Sequence, residues 1–225
     1  MLSQHDLNAA FGVIGIFILG IFLVWFPLAV LEIPQPSGLV ANTLFNAVWQ
    51  TVATIVMPCA WAVWRLDLRL ADLGLTVRNL GRSALLGCAL YTLALAAFLH
   101  CSADPLISNH ALRHLPGTEA FGLITAMSLI AAGTDVATRG FILLTLARHT
   151  HVIFAIVIQN LTWFLGHVHE INLLTNCLGA PAAIGLTLAL GILGDIVALK
   201  TRNVVGLAMA HVLLNVALSI YIRQL

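Results

Sequence analysis

The chain has 225 residues, of which 60% are hydrophobic and only 8% are charged. Its mean hydropathy of +1.01 excludes a water-soluble globular domain of this length. The formal net charge is +1, and basic residues form neither a run nor a stripe, which excludes a nucleic-acid-binding surface. We therefore expect an integral membrane protein whose main partner is lipid.

Apolar segments of about 20 residues, the length that crosses a bilayer as a helix, recur along the whole chain. No segment shows the alternation of a transmembrane barrel strand, so helices must satisfy the backbone in lipid. The opening "MLSQHDLN" lacks the basic region of a signal peptide, and we expect the first span to be retained. We predict one all-α, polytopic domain over residues 1–225 with about seven spans, near 9–31, 40–64, 83–101, 119–147, 151–169, 181–199 and 203–222.

The basic residues predict an orientation, because cytoplasmic loops are enriched in Lys and Arg. With seven spans, three connections lie on one side, and they contain Arg65, Arg69, Arg78, Arg82, Arg148, Lys200 and Arg202. We therefore predict a cytoplasmic N-terminus. As a separate expectation, the membrane is a bacterial inner membrane. The connection "RLDLRLADLGLTVRNLGR" mixes Leu with Arg and is expected to lie in the headgroup plane.

Cysteine and histidine spacing gives no clear metal or redox site. The four cysteines show no CxxC pattern, so we expect small buried apolar residues and not a redox pair. The histidines of the polar stretch between spans three and four match no usual ligand set. These residues are Cys59, Cys88, Cys101, Cys177, His100, His110 and His114.

The stretch "GTDVATRG", residues 133–140, places two charged side chains inside the fourth span. An Asp or Arg at mid-span costs about 2.5–3.5 kcal/mol, so each is a functional candidate. Asp135 and Arg139 are four residues apart on one helical face and can form an intrahelical ion pair. The pair either neutralises itself and holds the helix to its neighbours, or it organises a polar site.

Two further polar clusters lie in later spans. In "WFLGHVHE", His167 is expected to face inward, and Glu170 would share its face if the helix continued. In "HVLLN", His211 and Asn215 are one turn apart and could offer two donors to an oxyanion. The latter pair could equally be a hydrogen-bonding contact between helices.

In chain order, these clusters resemble the three motifs of the CPBP family, the CAAX proteases and bacteriocin-processing enzymes, also called Abi proteins. The family shows EExxxR followed by G, then FxxxH, then HxxxN, on separate transmembrane helices. The similar stretches here are "TDVATRG" (134–140), "WFLGH" (163–167) and "HVLLN" (211–215). With "LADLGLT" and the glycine-bearing stretch before the last motif, the resemblance extends over about residues 65–218.

The resemblance implies an intramembrane peptidase that acts on a membrane-associated peptide or protein. In the family, the first Glu and the FxxxH histidine activate water, the HxxxN pair stabilises the oxyanion, and the arginine supports the second Glu. His167, His211, Asn215 and Arg139 match these positions, and Asp135 replaces the second Glu. The resemblance leaves a metal-free and a metal-dependent mechanism open, so His167 and His211 are also candidate ligands for a divalent metal such as zinc.

The first Glu of the family motif is replaced by Thr134. A hydroxyl group cannot accept a proton from water at neutral pH, and loss of a general base typically costs about 10² to 10⁴ in rate. Two hypotheses follow. In the first, another base completes an active endopeptidase, for example His167 oriented by Glu170. In the second, the chain is a catalytically impaired member that acts as a membrane-embedded binding partner or scaffold.

A third alternative is an aspartyl dyad in which Asp135 and Asp195 share a proton. However, "ILGD" lacks the first glycine of the GxGD motif, and Asp195 is only five residues before Lys200. We therefore expect Asp195 to be an interfacial carboxylate.

Overall fold

The computed structural model describes residues 3–29, 35–101 and 114–224, with the side chains of 25–29 and 222–224 left aside. Within these ranges the structure is helical and has no strand, which confirms the predicted all-α fold. We number the helices α1 (Gln4–Ala29), α2 (Leu39–Arg65), α3 (Leu80–Cys101), α4 (Gly117–His149), α5 (Val152–Gly166), α6 (Val168–Leu178), α7 (Ala180–Thr201) and α8 (Val205–Gln224).

Five helices of the described part, α1, α2, α3, α4 and α7, are long and apolar enough to cross a membrane. The pair α5–α6 makes a sixth if it is counted as one bent span, and the apolar part of α8, Val205–Tyr221, is shorter. This architecture agrees roughly with the prediction of about seven spans.

The fifth predicted span is not one continuous helix. Helix α5 ends at Gly166, and α6 leaves it at an angle of 74°. At the corner, the His167 amide donates to the carbonyl of Phe164, 3.1 Å away. In a continuous α-helix the same amide would donate to the carbonyl of Trp163. Here the Trp163 carbonyl lies 2.8 Å from Nδ1 of the His167 ring instead. A side chain thus replaces a backbone donor where the helix turns.

Helix α4 lies at the centre of the bundle, where it contacts α2 and α8 and, through its second half, α5 and α7. Its segment Val136–Leu143 is π-helical, and all its residues from Ala137 onward are buried. Such bulges are often found at functional sites. At Gly140, an added Cβ would lie 2.8 Å from the Leu73 carbonyl, so the absent side chain allows the α2–α3 connection to pass against α4.

The three basic connections meet at one end of the bundle. Asp72 of the α2–α3 connection accepts a 2.6 Å hydrogen bond from Arg148 at the end of α4. The Gly74 carbonyl accepts from the Val204 amide between α7 and α8, at 2.9 Å. The backbone N–H of Arg69 donates to the Asp72 carboxylate and lowers its pKa, and burial partly offsets this effect.

A disulfide joins Cys101, the last residue of α3, to Cys177 in α6, with a Cα–Cα distance of 5.7 Å. The expectation of no redox pair was therefore wrong. The two residues are 76 positions apart, and only the return of α6 after its bend brings them together. The remaining cysteines, Cys59 and Cys88, are free.

Candidate active site

The predicted ion pair of α4 is present. Nη1 of Arg139 bonds Oδ1 of Asp135, and both side chains are 0% exposed. Because an isolated buried charge is very costly, each side chain depends on the other and on its further partners. The pair therefore does not stand alone, and three neighbouring helices, α3, α7 and α8, supply additional polar groups.

Tyr91 of α3 is the first of these groups. Its hydroxyl lies 3.1 Å from each carboxylate oxygen of Asp135, and it accepts a 3.2 Å hydrogen bond from Nη1 of Arg139. The tyrosine is 4% exposed. Sequence reasoning missed Tyr91, although it is one of only two tyrosines in the chain. A lone phenol in an apolar span needs a hydrogen-bond partner, which is the signal that could have found it.

The other side of the Arg139 guanidinium faces α7 and α5. Nε lies 3.5 Å from Oδ1 of Asp195, and Cζ lies 4.0 Å from the centre of the Trp163 ring. Nδ2 of Asn160 donates to Oδ2 of Asp195 at 2.7 Å.

The expectation that Asp195 is interfacial was wrong, because its side chain is 0% exposed. Gly194 explains how α7 approaches so closely, since a Cβ there would lie 2.3 Å from Nη2 of Arg139. The aspartyl dyad gains no support either. Both Asp135 and Asp195 pair with Arg139, and no hydrogen bond joins the two carboxyl groups within the described ranges.

His211 of α8 is joined directly to the first motif. Its Nδ1 lies 3.1 Å from Oδ2 of Asp135, and its ring stacks on Tyr91 with centroids 4.6 Å apart. The side chain is 10% exposed. A carboxylate that bonds Nδ1 of an imidazole fixes the ring and its tautomer, as in His–Asp couples of hydrolases.

His167, at the corner between α5 and α6, lies beside this group. Its ring stacks on Trp163 at 3.9 Å and lies 6.3 Å from the His211 ring, centroid to centroid, with 18° between the planes. The two imidazole rings are therefore neighbours and nearly parallel. Glu170 lies in the first turn of α6, which begins directly after His167, but no hydrogen bond joins the two side chains among the described residues.

The partners of the two imidazoles define their tautomers. A carbonyl and a carboxylate can only accept, so Nδ1 holds the proton in the neutral form of both His167 and His211. The lone pair is then on Nε2 of each ring. This is the protonation state that a general base requires.

Thr134 and Asn215 make other contacts. The Thr134 hydroxyl donates to the Ile130 carbonyl of its own helix at 3.0 Å. Nδ2 of Asn215 donates to the Met127 carbonyl at 3.3 Å and so holds α8 against α4. Neither residue has a hydrogen bond to the two imidazoles within the described part of the chain.

A divalent metal at the motif residues would need more ligand atoms than they offer. Across the described residues, one group of three His, Cys, Asp or Glu side chains has its ligand atoms within 4.8 Å of one another, and that group lies elsewhere. Asp135 is already bonded by Arg139, Tyr91 and His211. His167 and His211 therefore do not form a closed metal site. Of the histidines between the third and fourth predicted spans, His110 lies outside the described residues.

Comparison with known proteins supports the resemblance. Residues 116–217, from the start of α4 into α8, match the family model of the type II CAAX prenyl endopeptidase Rce1-like proteins. No curated protein and no solved structure matches the chain. The matched segment includes all three motifs, and this region of the chain is therefore similar to the Rce1-like proteins, which supports the resemblance predicted from the sequence.

Proposed function

We propose that this protein is a membrane-embedded endopeptidase that hydrolyses a membrane-associated peptide, and that the Asp135–His211 pair provides the general base missing at Thr134. The observation that supports it is the 3.1 Å contact between Nδ1 of His211 and the Asp135 carboxylate. The family match supports the reaction class. The choice of base departs from the family pattern.

The carboxylate of Asp135 next to His211 favours this base. When Nε2 of His211 accepts a proton from water, the new imidazolium faces Asp135. The 3.1 Å contact with Oδ2 then becomes an ion pair between the imidazolium and the carboxylate. Because charges interact strongly where water is excluded, the protonated imidazole is stabilised at the moment it forms.

In the proposed reaction, a water molecule donates one hydrogen bond to Nε2 of His211 and the other to Nε2 of His167. Its oxygen attacks the peptide carbonyl carbon as the proton moves to His211, and the carbonyl oxygen becomes the oxyanion. The second amide hydrogen of Asn215, one turn from His211, is a candidate donor to that oxyanion. His211 then returns the proton to the leaving amine nitrogen as the C–N bond breaks, which yields an acid and an amine.

A substrate could approach between α3 and α8. An open, mostly apolar groove of about 190 Å³ lies there, and its lining includes Tyr91, Cys88 and Leu213. Since Tyr91 also contacts Asp135 and stacks on His211, the groove leads toward the polar cluster. An apolar approach suits a peptide that is anchored in the membrane.

The test is cleavage of fluorogenic and prenylated peptides by the full-length protein in lipid nanodiscs, with products identified by mass spectrometry. His211→Ala and Asp135→Asn should each reduce kcat by about 10² to 10⁴, the usual value of general acid–base catalysis. His169→Ala is the matched control, because this exposed histidine is two residues from His167. Unchanged turnover in both site variants would contradict the proposal.

The second candidate function is a catalytically impaired member that retains peptide binding as a partner or scaffold. Its support is Thr134, whose hydroxyl donates to its own helix. In that case the wild-type chain binds peptide without cleaving it, and Thr134→Glu creates activity by restoring the family residue. A wild type that cleaves peptides, with a Thr134→Glu variant that is no faster, would reject this candidate.

The cytoplasmic N-terminus, the bacterial inner membrane and the single-domain organisation remain part of the proposal. Two observations support the orientation. The basic connections meet at one end of the bundle, and the disulfide links Cys101 at the other end of α3. Disulfides persist in oxidising compartments such as the periplasm. Labelling single cysteines introduced at Arg148 and Thr175 with an impermeant maleimide in whole cells should modify only the latter.

A further inference from the structure

A histidine and carboxylate cluster lies outside the candidate active site, where the start of α1 meets the end of α4. One ligand atom from each of His5, Asp6 and His149 lies within 4.8 Å of the other two. Nδ1 of His149 is 3.2 Å from Oδ1 of Asp6, and the His5 and His149 rings are 5.9 Å apart and tilted by 56°. Because the two rings are tilted and not stacked face to face, a nitrogen atom of each ring can point toward the same ion.

The carboxylate is oriented by the first turn of α1. The Ser3 hydroxyl lies 2.6 Å from Oδ2 of Asp6, and the Asp6 amide donates to that hydroxyl at 3.1 Å. This leaves Oδ1 directed at His149. A hydrogen bond that holds a ligand carboxylate in place is typical of metal sites, where such partners affect affinity by about 10- to 100-fold.

A second observation concerns His149 alone. Its side chain is 14% exposed, and its Nε2 is buried with no hydrogen-bond partner among the described residues. Buried polar atoms are rarely left unbonded in proteins. The neighbouring Arg148 does not compete for the carboxylate, because its guanidinium donates to Asp72. In the neutral form that binds a metal, the two imidazoles and the carboxylate have a net charge of −1.

We propose that His5, Asp6 and His149 bind a divalent transition cation such as Zn²⁺. Two imidazoles and a carboxylate suit zinc, which would keep a fourth position for water. Tetrahedral ligands at 2.0–2.1 Å from the metal lie about 3.3 Å apart, so the ligand atoms need to move by about 1 Å, which partly exposed side chains at helix ends permit. The bound ion would join α1 to the helix that contains the first motif.

The experiment is a Co²⁺ titration of the full-length, chelator-treated protein in detergent, followed by visible ligand-field absorption. We expect saturation at one equivalent per chain and displacement by Zn²⁺. His5→Ala, Asp6→Asn and His149→Ala should each weaken binding at least about tenfold. Zinc should also raise the melting temperature of the wild type and not of these variants, because a ligand that binds the folded state stabilises it.

Two controls separate this site from other histidines. His151→Ala tests general binding at the same end of the bundle, and the double variant His167→Ala, His211→Ala tests the candidate active site; both should retain Co²⁺ affinity. His5 is exposed, so its variant should fold normally, as its metal-free melting temperature will show. No saturable binding by the wild type, or unchanged affinity in His5→Ala and Asp6→Asn, would overturn the proposal.

Discussion

Gly194 of α7 offers a direct test of whether the position of Arg139 controls the site. An added Cβ would lie 2.3 Å from Nη2, 2.5 Å from Cζ and 2.6 Å from Nε of that arginine. Ordinary contacts between heavy atoms are about 3.5–4.0 Å, so Gly194→Ala requires the guanidinium to move by more than about 1 Å. A surface arginine would move easily, but this one is 0% exposed and is bonded to Asp135.

The size of the effect follows from two opposing contributions. Overpacking of a close-packed interior costs typically about 1–3 kcal/mol, whereas replacing Gly by Ala inside a helix stabilises it by about 1 kcal/mol. We therefore expect a net loss of stability of up to about 2 kcal/mol for Gly194→Ala. Because a misplacement of about 1 Å can cost 10²-fold in rate, the loss of peptidase activity should exceed the loss of stability.

The matched control is Gly185→Ala, on the same helix. A Cβ there would meet no atom within 4 Å, so this variant should be as stable as the wild type or slightly more stable. The assay compares thermal unfolding in detergent, followed by tryptophan fluorescence, with peptide turnover in nanodiscs. Equal melting temperature and equal turnover in the two alanine variants would refute the argument that Arg139 is held in one position.

Three further predictions concern other contacts. Tyr91→Phe removes a hydroxyl bonded to Asp135 and should destabilise the protein by about 1–3 kcal/mol in thermal unfolding, because the carboxylate loses a buried partner. Cys177→Ser, or a reductant, should cost about 2–4 kcal/mol in the same assay, with Cys88→Ser as the control. Asp72→Asn should lower stability at pH 7 by about 0.2–1 kcal/mol, as expected of a surface pair. Folding lowers the pKa of Asp72. The stabilisation by its carboxylate is therefore present above the unfolded pKa of about 3.9 and is lost as the pH falls through the lower folded pKa. The melting curves of wild type and variant should accordingly converge at acidic pH.

The convergence of the motif residues was predictable only in part. The Asp135–Arg139 pair depends on the spacing of two residues in one helix, a local property, and the structure contains it. The contact of His211 with Asp135 crosses 76 positions of the chain, and only the order of family motifs indicated it. The orientation of His167 by Glu170 stays a prediction, since Glu170 lies in the first turn of α6, which begins directly after His167, but no hydrogen bond joins their side chains among the described residues.

The amino-acid sequence by itself determined that this is an all-helical membrane protein. The transfer free energy of each apolar segment is a sum over its own residues, and a helix satisfies its own backbone hydrogen bonds in lipid, so neither property depends on other segments. The tertiary structure decided the environment of Asp195, the disulfide and the role of Tyr91. Each of these depends on which helices are neighbours, how closely glycines allow them to approach and where a helix bends. Charge at mid-span indicates that partners are needed, and packing determines which residues of the other helices those partners are.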